Sequence, residues 1–158
     1  MTTATELLPL TETIAPANEA EVIALLRRAH DGRMPVYPIG GGTALGYGLR
    51  PSQPGLGLST AGLNRLIAHP ADDLTVTVEA GMTIAALAKT LTAREQWLPI
   101  DVSHAGRATV GGLVATNAQG PRRYAYGSIR DYLLGCRAVD GRGHVFSSGG
   151  KVVKNAAG

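Results

Sequence analysis

The order of apolar and polar positions predicts short strands interrupted by two amphipathic helices. Residues 1–17 show no period and contain Pro9 and Pro16, so they read as a tail with one edge strand at 7–14. Val22, Leu25, Leu26 and Ala29 recur at helical spacing, which predicts a helix opening at Asn18. Asn18 can accept the first orphan N–H, Glu21 completes a capping box, and Gly32 supplies the stop. Residues 35–39, bounded by proline and glycine, read as a strand, followed by a glycine-rich loop over 40–48. Short strands are expected at 56–59 and 64–68, and the strict alternation of Leu74 to Glu79 makes it the clearest strand. Thr83 is placed to cap a second helix reaching Arg94, with Ile84, Leu87, Ala88 and Leu91 on one face. Thr109 to Asn117 reads as a further short helix with glycines at its start. Strands at 132–139 and 144–148 are joined by Asp140-Gly141-Arg142-Gly143, a hairpin signal. The fold class expected is α+β, in two small packed lobes. The chain ends at Lys151 to Gly158 as if entering a helix, so the domain is expected to be C-terminally incomplete.

Composition narrows this picture. With 158 residues the prior is one domain, and 44% hydrophobic against 17% charged residues is a globular balance. Glycine is the outlier at 21 residues, without the period of three that collagen needs, which points to backbone that turns sharply or lies close to a ligand. A single cysteine, Cys136, excludes an intrachain disulfide framework and a cysteine-cluster metal site. No apolar run reaches the roughly 18 residues of a membrane span, and no secretory signal is visible, so a cytoplasmic location is expected. The net charge of +3 is too small to argue for nucleic acid. Its distribution says more: residues 1–101 carry 7 basic and 10 acidic side chains, residues 102–158 carry 8 and 2, and 12 of the 15 basic residues are arginine. An arginine-rich half suits an anionic partner, or else is a solvated surface.

A strand followed by Gly40-Gly41-Gly42-Thr43 suggests an anion site, because successive N–H groups in a glycine turn form a concave nest. Common templates fail here. Counted from Gly40, the sixth position of a dinucleotide fingerprint is Leu45, and in a Walker spacing from Gly41 to Gly46 the lysine is replaced by Tyr47. A glycine-rich structural turn is the alternative. A second glycine stretch, Ala108-Thr109-Val110-Gly111-Gly112, is followed by Gly120-Pro121-Arg122-Arg123 and Gly127-Ser128-Ile129-Arg130-Asp131.

These five motifs in this order, ending in Gly149-Gly150-x-Val-x-Lys154-Asn155, resemble the FAD-binding domain of the vanillyl-alcohol oxidase/p-cresol methylhydroxylase superfamily. Ser103-His104-Ala105-Gly106 ahead of the second stretch is most similar to the FAD-binding subunit of glycolate oxidases. The resemblance covers residues 16–158, leaves 1–15 as an N-terminal tail, and implies a two-lobed FAD-binding fold whose relatives continue into a substrate cap. It implies that the FAD pyrophosphate lies on Ile39, Gly40, Gly41, Gly42, Thr43, Ala44 and Leu45, and that Gly111 and Gly112 bring backbone N–H groups against the cofactor. Ser103, His104, Thr109, Ala115, Asn117, Gly120 and Gly127 map to segments lining it. Thr43 stands where some relatives carry a flavin-linking histidine, so noncovalent FAD is expected.

The remaining candidates carry two readings each. His104 is either a base or flavin contact, or a structural hydrogen bonder; no catalytic residue is assigned. Arg122, Arg123 and Arg130 either hold phosphate or carboxylate or are surface arginines, with Asp131 the partner of Arg130. Cys136 is expected to be a buried small hydrophobe and Trp97 a core residue. His30, His69 and His144 lack mutual ligand spacing, so no metal is expected. The resemblance thus implies an FAD-dependent oxidoreductase, the FAD-binding portion of a 2-hydroxyacid oxidase or dehydrogenase, weakly active or inactive by itself. The rivals are a non-catalytic cofactor-binding or assembly module and a phosphate-binding protein without flavin. Expected partners are a small 2-hydroxyacid and other oxidase subunits or a second copy, with no nucleic acid and no membrane span.

Overall fold

The computed structural model describes residues 7–150. Positions 1–6 of the expected tail and the expected helix at 151–158 lie outside the described residues. The first unit is a three-stranded sheet covered by a helix. Strands β1 (Leu10–Ile14) and β2 (Val36–Ile39) flank β3 (Gly55–Ser59), and both pair with it in parallel. β1 and β2 thus run in the same direction on either side of β3, and helix α1 (Glu19–Asp31) provides the crossover between them. Pro38 falls in β2, an edge strand, where its missing N–H costs no interior ladder bond.

Local chemistry sets both ends of α1. At the N-terminus the Asn18 side chain accepts from the Glu21 N–H at 3.0 Å, while the Glu21 carboxylate receives the Ala17 N–H at 2.8 Å. At the C-terminus the Met34 N–H reaches back to the Ala29 carbonyl at 2.8 Å, and the Arg33 N–H reaches that of His30 at 3.0 Å. The left-handed residue of this motif is Arg33 (φ 52°), one position beyond the expected Gly32, which stays right-handed (φ −79°). Val22, Leu25, Leu26 and Ala29 pack on Leu56 and Leu58 of β3, forming the first core. Each leucine buried there contributes about 1.5–3 kcal/mol.

Beyond β3 the chain forms a short antiparallel pair, β4 (Leu66–Ala68) with β5 (Thr77–Val78). The strand expected over Leu74–Glu79 is thus reduced to two residues. Ala71–Asp73 closes a 3-10 turn, and Leu74 follows it in the left-handed region (φ 53°) with its side chain exposed. The alternation was real, but the neighbouring strand offers only a short ladder.

Helix α2 (Ile84–Thr92) is capped by Thr83, whose hydroxyl accepts the Ala86 N–H at 3.2 Å. It buries Ile84, Leu87 and Leu91; Ala88, expected on that face, borders an open cleft instead and is exposed. Helix α3 (Val110–Thr116) adds Leu113 to a second core with Ile84, Ile100, Ala108 and Ile129. Two single-turn helices follow, α4 (Arg123–Tyr126) and α5 (Ile129–Tyr132). Tyr132 therefore ends a helix rather than opening a strand, because Ser128 and Asp131 form a capping box that starts α5. Strands β6 (Gly135–Val139) and β7 (Val145–Gly149) form the expected hairpin. It docks on the first core through Val139 and the Arg137–Glu19 ion pair at 2.6 Å. Cys136 lies in β6 but is exposed, since no further layer covers that face of the two-stranded hairpin. Among the described residues no helix is long and apolar enough to cross a membrane.

Candidate cofactor site

The Gly40–Leu45 loop leaves the C-terminal end of β2, the end of a parallel sheet at which ligand crevices form. It runs directly against residues 107–112. A Cβ on Gly40 would collide with the Thr109 hydroxyl, and one on Gly41 would overlap the Arg107 carbonyl. Gly42 has room for a Cβ but sits at φ 67°, where L side chains are strained. The glycines are therefore required first by a backbone-to-backbone approach within the protein. Among the described residues, the N–H groups of Gly41, Gly42, Thr43, Ala44, Leu45 and Gly46 meet no acceptor; the loop closes only where the Tyr47 N–H meets the Ala44 carbonyl at 3.1 Å. Gly41, Gly42, Ala44 and Leu45 are half-buried. Such a run of unspent backbone donors suits an anion, and at Gly42, where the protein leaves the Cβ position unfilled, the loop stays open to one. Ile39 stands at the mouth, but its side chain is buried.

The opposing segment is anchored to α2. Carbonyls of Ala108 and Ala105 accept the Ile84 and Ala85 N–H groups at 2.8 and 3.0 Å. Ser103 and His104 lie in an exposed turn in which the His104 carbonyl accepts from Arg107 at 2.7 Å and from Ala108 at 2.8 Å. His104 is left-handed (φ 58°), and its ring has no hydrogen-bond partner among the described residues, so a structural hydrogen-bonding role is not what holds it. Thr109 is buried and caps α3, accepting the Gly112 N–H at 3.2 Å. The Val110 and Gly111 N–H groups go to the carbonyls of Met82 and Ala80, each at 2.8 Å. The first turn of α3 is thus committed to the protein. Gly111 serves close packing on Ala80 and Gly112 faces Gly40, instead of presenting amides to a ligand. Arg107, which the sequence reading passed over, donates from Nη2 to the Gly41 carbonyl at 3.1 Å. Its signal was only its place directly before Ala108-Thr109 in the arginine-rich half.

The remaining candidates lie further along the chain. Ala115 is exposed on α3, and Asn117 ends that helix in the left-handed region (φ 47°). Gly120 packs on Asp101, and Gly127 (φ 83°) packs on Asp131; these contacts do not join them to the glycine loop. Arg122 pairs with Asp101 at 3.4 Å and lies over the Trp97 ring at 5.4 Å. Trp97 is 55% exposed, which overturns its expected core place: it stacks edge-on against Tyr126 and lines a cleft of about 320 Å³ along α2. The Asp131 carboxyl is held below the ordinary carboxylate range first by the Ser128 backbone N–H and then by the Ser128 hydroxyl, with the Arg130 charge a smaller influence, so Ser128 rather than Arg130 is its direct partner. A larger cleft of about 590 Å³ lies beside the C-terminal end of α1, lined by Leu26, Ala29, His30 and Met34, away from the run of free donors.

A family model described as an FAD binding domain matches residues 11–149. The chain belongs to the FAD binding domain family. FAD is therefore the cofactor of its fold, and the superfamily resemblance read from the motifs holds. Over 147 residues it is 37% identical to a D-lactate dehydrogenase of Archaeoglobus fulgidus, covering 92% of this chain and 32% of the relative. Over 145 residues it is 32% identical to glycolate oxidase subunit GlcD of Bacillus subtilis, covering 92% and 31%. The chain thus spans about a third of the length of these curated relatives. Among solved structures, an alkyldihydroxyacetonephosphate synthase superposes with a TM-score of 0.77 at 23% identity, covering 92% of this chain and 26% of that one, which establishes the shared fold.

Proposed function

We propose that this chain forms the FAD-binding part of a flavin-dependent oxidase or dehydrogenase of 2-hydroxyacids. The observation that carries the reading is the run of N–H groups from Gly41 to Gly46 without acceptors, at the C-terminal end of a parallel strand in a member of the FAD binding domain family. In this reading the FAD pyrophosphate is held by Gly40, Gly41, Gly42, Thr43, Ala44 and Leu45, between one lobe built on α1 and its sheet and another built on α2 and α3. Ser103, His104, Thr109 and Gly112, on the facing segment, bound the same crevice; Ala115, Asn117, Gly120 and Gly127 line its continuation. Bound FAD supplies the hydride acceptor, flavin N5, for the hydrogen on the hydroxyl-bearing carbon of the substrate. The protein's part is to fix the cofactor and exclude water. Thr43 offers a hydroxyl hydrogen bond in place of a covalent link, so the flavin is held noncovalently.

Lactate and glycolate, in the names of the two relatives, are both 2-hydroxyacids, which supports the substrate class. That the GlcD relative is a subunit favours a second reading, in which this chain is a cofactor-binding module assembled with partner subunits. One experiment separates the readings. The purified chain is reconstituted with FAD, gel-filtered, and treated with glycolate or D-lactate without oxygen. Retained flavin that bleaches with substrate supports the enzyme, and retained flavin that never bleaches supports the module. A chain that elutes colourless refutes both. Acid precipitation of the loaded protein should leave the flavin in the supernatant, whereas a coloured pellet contradicts noncovalent binding.

A further inference from the structure

We propose that Arg107 is a positioning residue of the anion site, strapping the glycine loop from behind so that the Gly42 N–H faces the ligand. The inference rests on the FAD reading above only for the name of the anion. Two contacts hold the strap. Arg107 Nη2 donates to the Gly41 carbonyl at 3.1 Å, and the Arg107 carbonyl lies against the Gly41 Cα so closely that a Cβ there would overlap it. The backbone of Arg107 is itself fixed, because its N–H returns to the His104 carbonyl at 2.7 Å and the next residue is buried under α2.

The consequence follows from peptide geometry. The unit joining Gly41 to Gly42 is planar and trans, so its C=O and N–H point in opposite directions. Binding the Gly41 carbonyl to a guanidinium on one side aims the Gly42 N–H away from it, toward the side where the loop's donors find no protein acceptor. A charged donor on the carbonyl also polarises the peptide and strengthens what its N–H can donate. Gly42 at φ 67° accepts this orientation without a side-chain penalty. Arg107 therefore acts through the Gly41–Gly42 peptide.

The test uses the 158-residue chain with FAD and with ADP, which carries the same pyrophosphate without flavin. Arg107→Met keeps an unbranched stem without a donor, and Arg107→Lys keeps a charged donor. We expect Arg107→Met to weaken both ligands about tenfold or more, the scale of one charge-assisted hydrogen bond. The thermal midpoint of the ligand-free chain should stay within a few degrees of wild type, and Arg107→Lys should recover most of the lost affinity. Unchanged affinity in Arg107→Met overturns the inference. So does a loss that Arg107→Lys fails to repair, or one accompanied by collapse of the ligand-free melt. If wild type binds ADP but not FAD, and Arg107→Met loses ADP, the FAD reading falls while the strap stands. If wild type binds neither, there is no anion nest and both fall.

Discussion

Gly41 and Gly46 share one loop but differ in what surrounds them. A Cβ at Gly41 would overlap the Arg107 carbonyl, whereas one at Gly46 meets nothing within 4 Å and the residue has no positive φ. Gly41→Ala must push the loop or the 107–109 segment aside, an overpacking cost of about 1–3 kcal/mol. We predict a lower thermal midpoint and FAD affinity reduced about tenfold for Gly41→Ala, from the displaced donors, against wild-type behaviour for Gly46→Ala; equal FAD affinity in the two variants contradicts the packing account. Thr109 is a second single-residue control. Thr109→Val keeps the shape but removes the cap on α3, costing about 1 kcal/mol, while Thr109→Ser keeps it. Urea titrations of the pair should differ by that amount, and coincident curves would show that the hydroxyl does not cap. Much of this was legible in the sequence, since Gly40-Gly41-Gly42 announced a close approach and Thr109 a helix start. What approaches was not: the Arg107 carbonyl comes from 66 residues away, and nothing local in the loop encodes it.

Among the elements, the β4–β5 pair leans most on a single side-chain contact. Glu79 takes the Arg65 backbone N–H at 2.8 Å and its guanidinium at 2.7 Å, tying the ends of a two-residue ladder. The hydrogen bond from the Arg65 side chain, followed by that from its backbone, lowers the Glu79 carboxyl below its ordinary 4.5. A carboxyl with a depressed folded pKa binds protons more readily unfolded, so its contribution is complete above 4.5 and is lost as pH falls through the folded value. Glu79→Gln should therefore melt further below wild type at pH 6 than at pH 3. A gap that stays constant between the two pH values would show that the charge is not what matters. Arg33 holds the left-handed end of α1, a place glycine occupies more comfortably. We predict that Arg33→Gly raises the thermal midpoint, because the left-handed conformation costs an L residue about 1–2 kcal/mol, more than the roughly 0.5–1 kcal/mol of backbone entropy that glycine loses; a lower midpoint would show that the arginine side chain does more for the fold than its backbone costs. The helices were legible from period and caps because both are local. The strand at Leu74–Glu79 was misread because alternation fixes which face is buried, not how long a partner strand will be.

At the scale of the whole molecule, three arginines of the arginine-rich half are engaged with the protein itself. Arg137 pairs with Glu19, Arg122 with Asp101 and Trp97, and Arg107 with the Gly41 carbonyl. Counting charge showed that these arginines exist but not where the fold would spend them, since Arg137 and Glu19 are 118 residues apart. In the proposed reading the affinity for the FAD pyrophosphate rests on backbone N–H groups more than on side-chain charge, in a loop that joins the sheet of the first core to the α2–α3 core. The family match and the motif order agree on the cofactor, and the unspent N–H groups of Gly41 to Gly46 are the atoms we propose receive it. The most direct measurement is an amide-resolved NMR titration of the chain with FAD. The Gly41 to Gly46 amide resonances should shift together and saturably, and those of Val110 and Gly111, already bonded to Met82 and Ala80, should move little. Saturable FAD binding that leaves the Gly41 to Gly46 amides unmoved would contradict the proposed site.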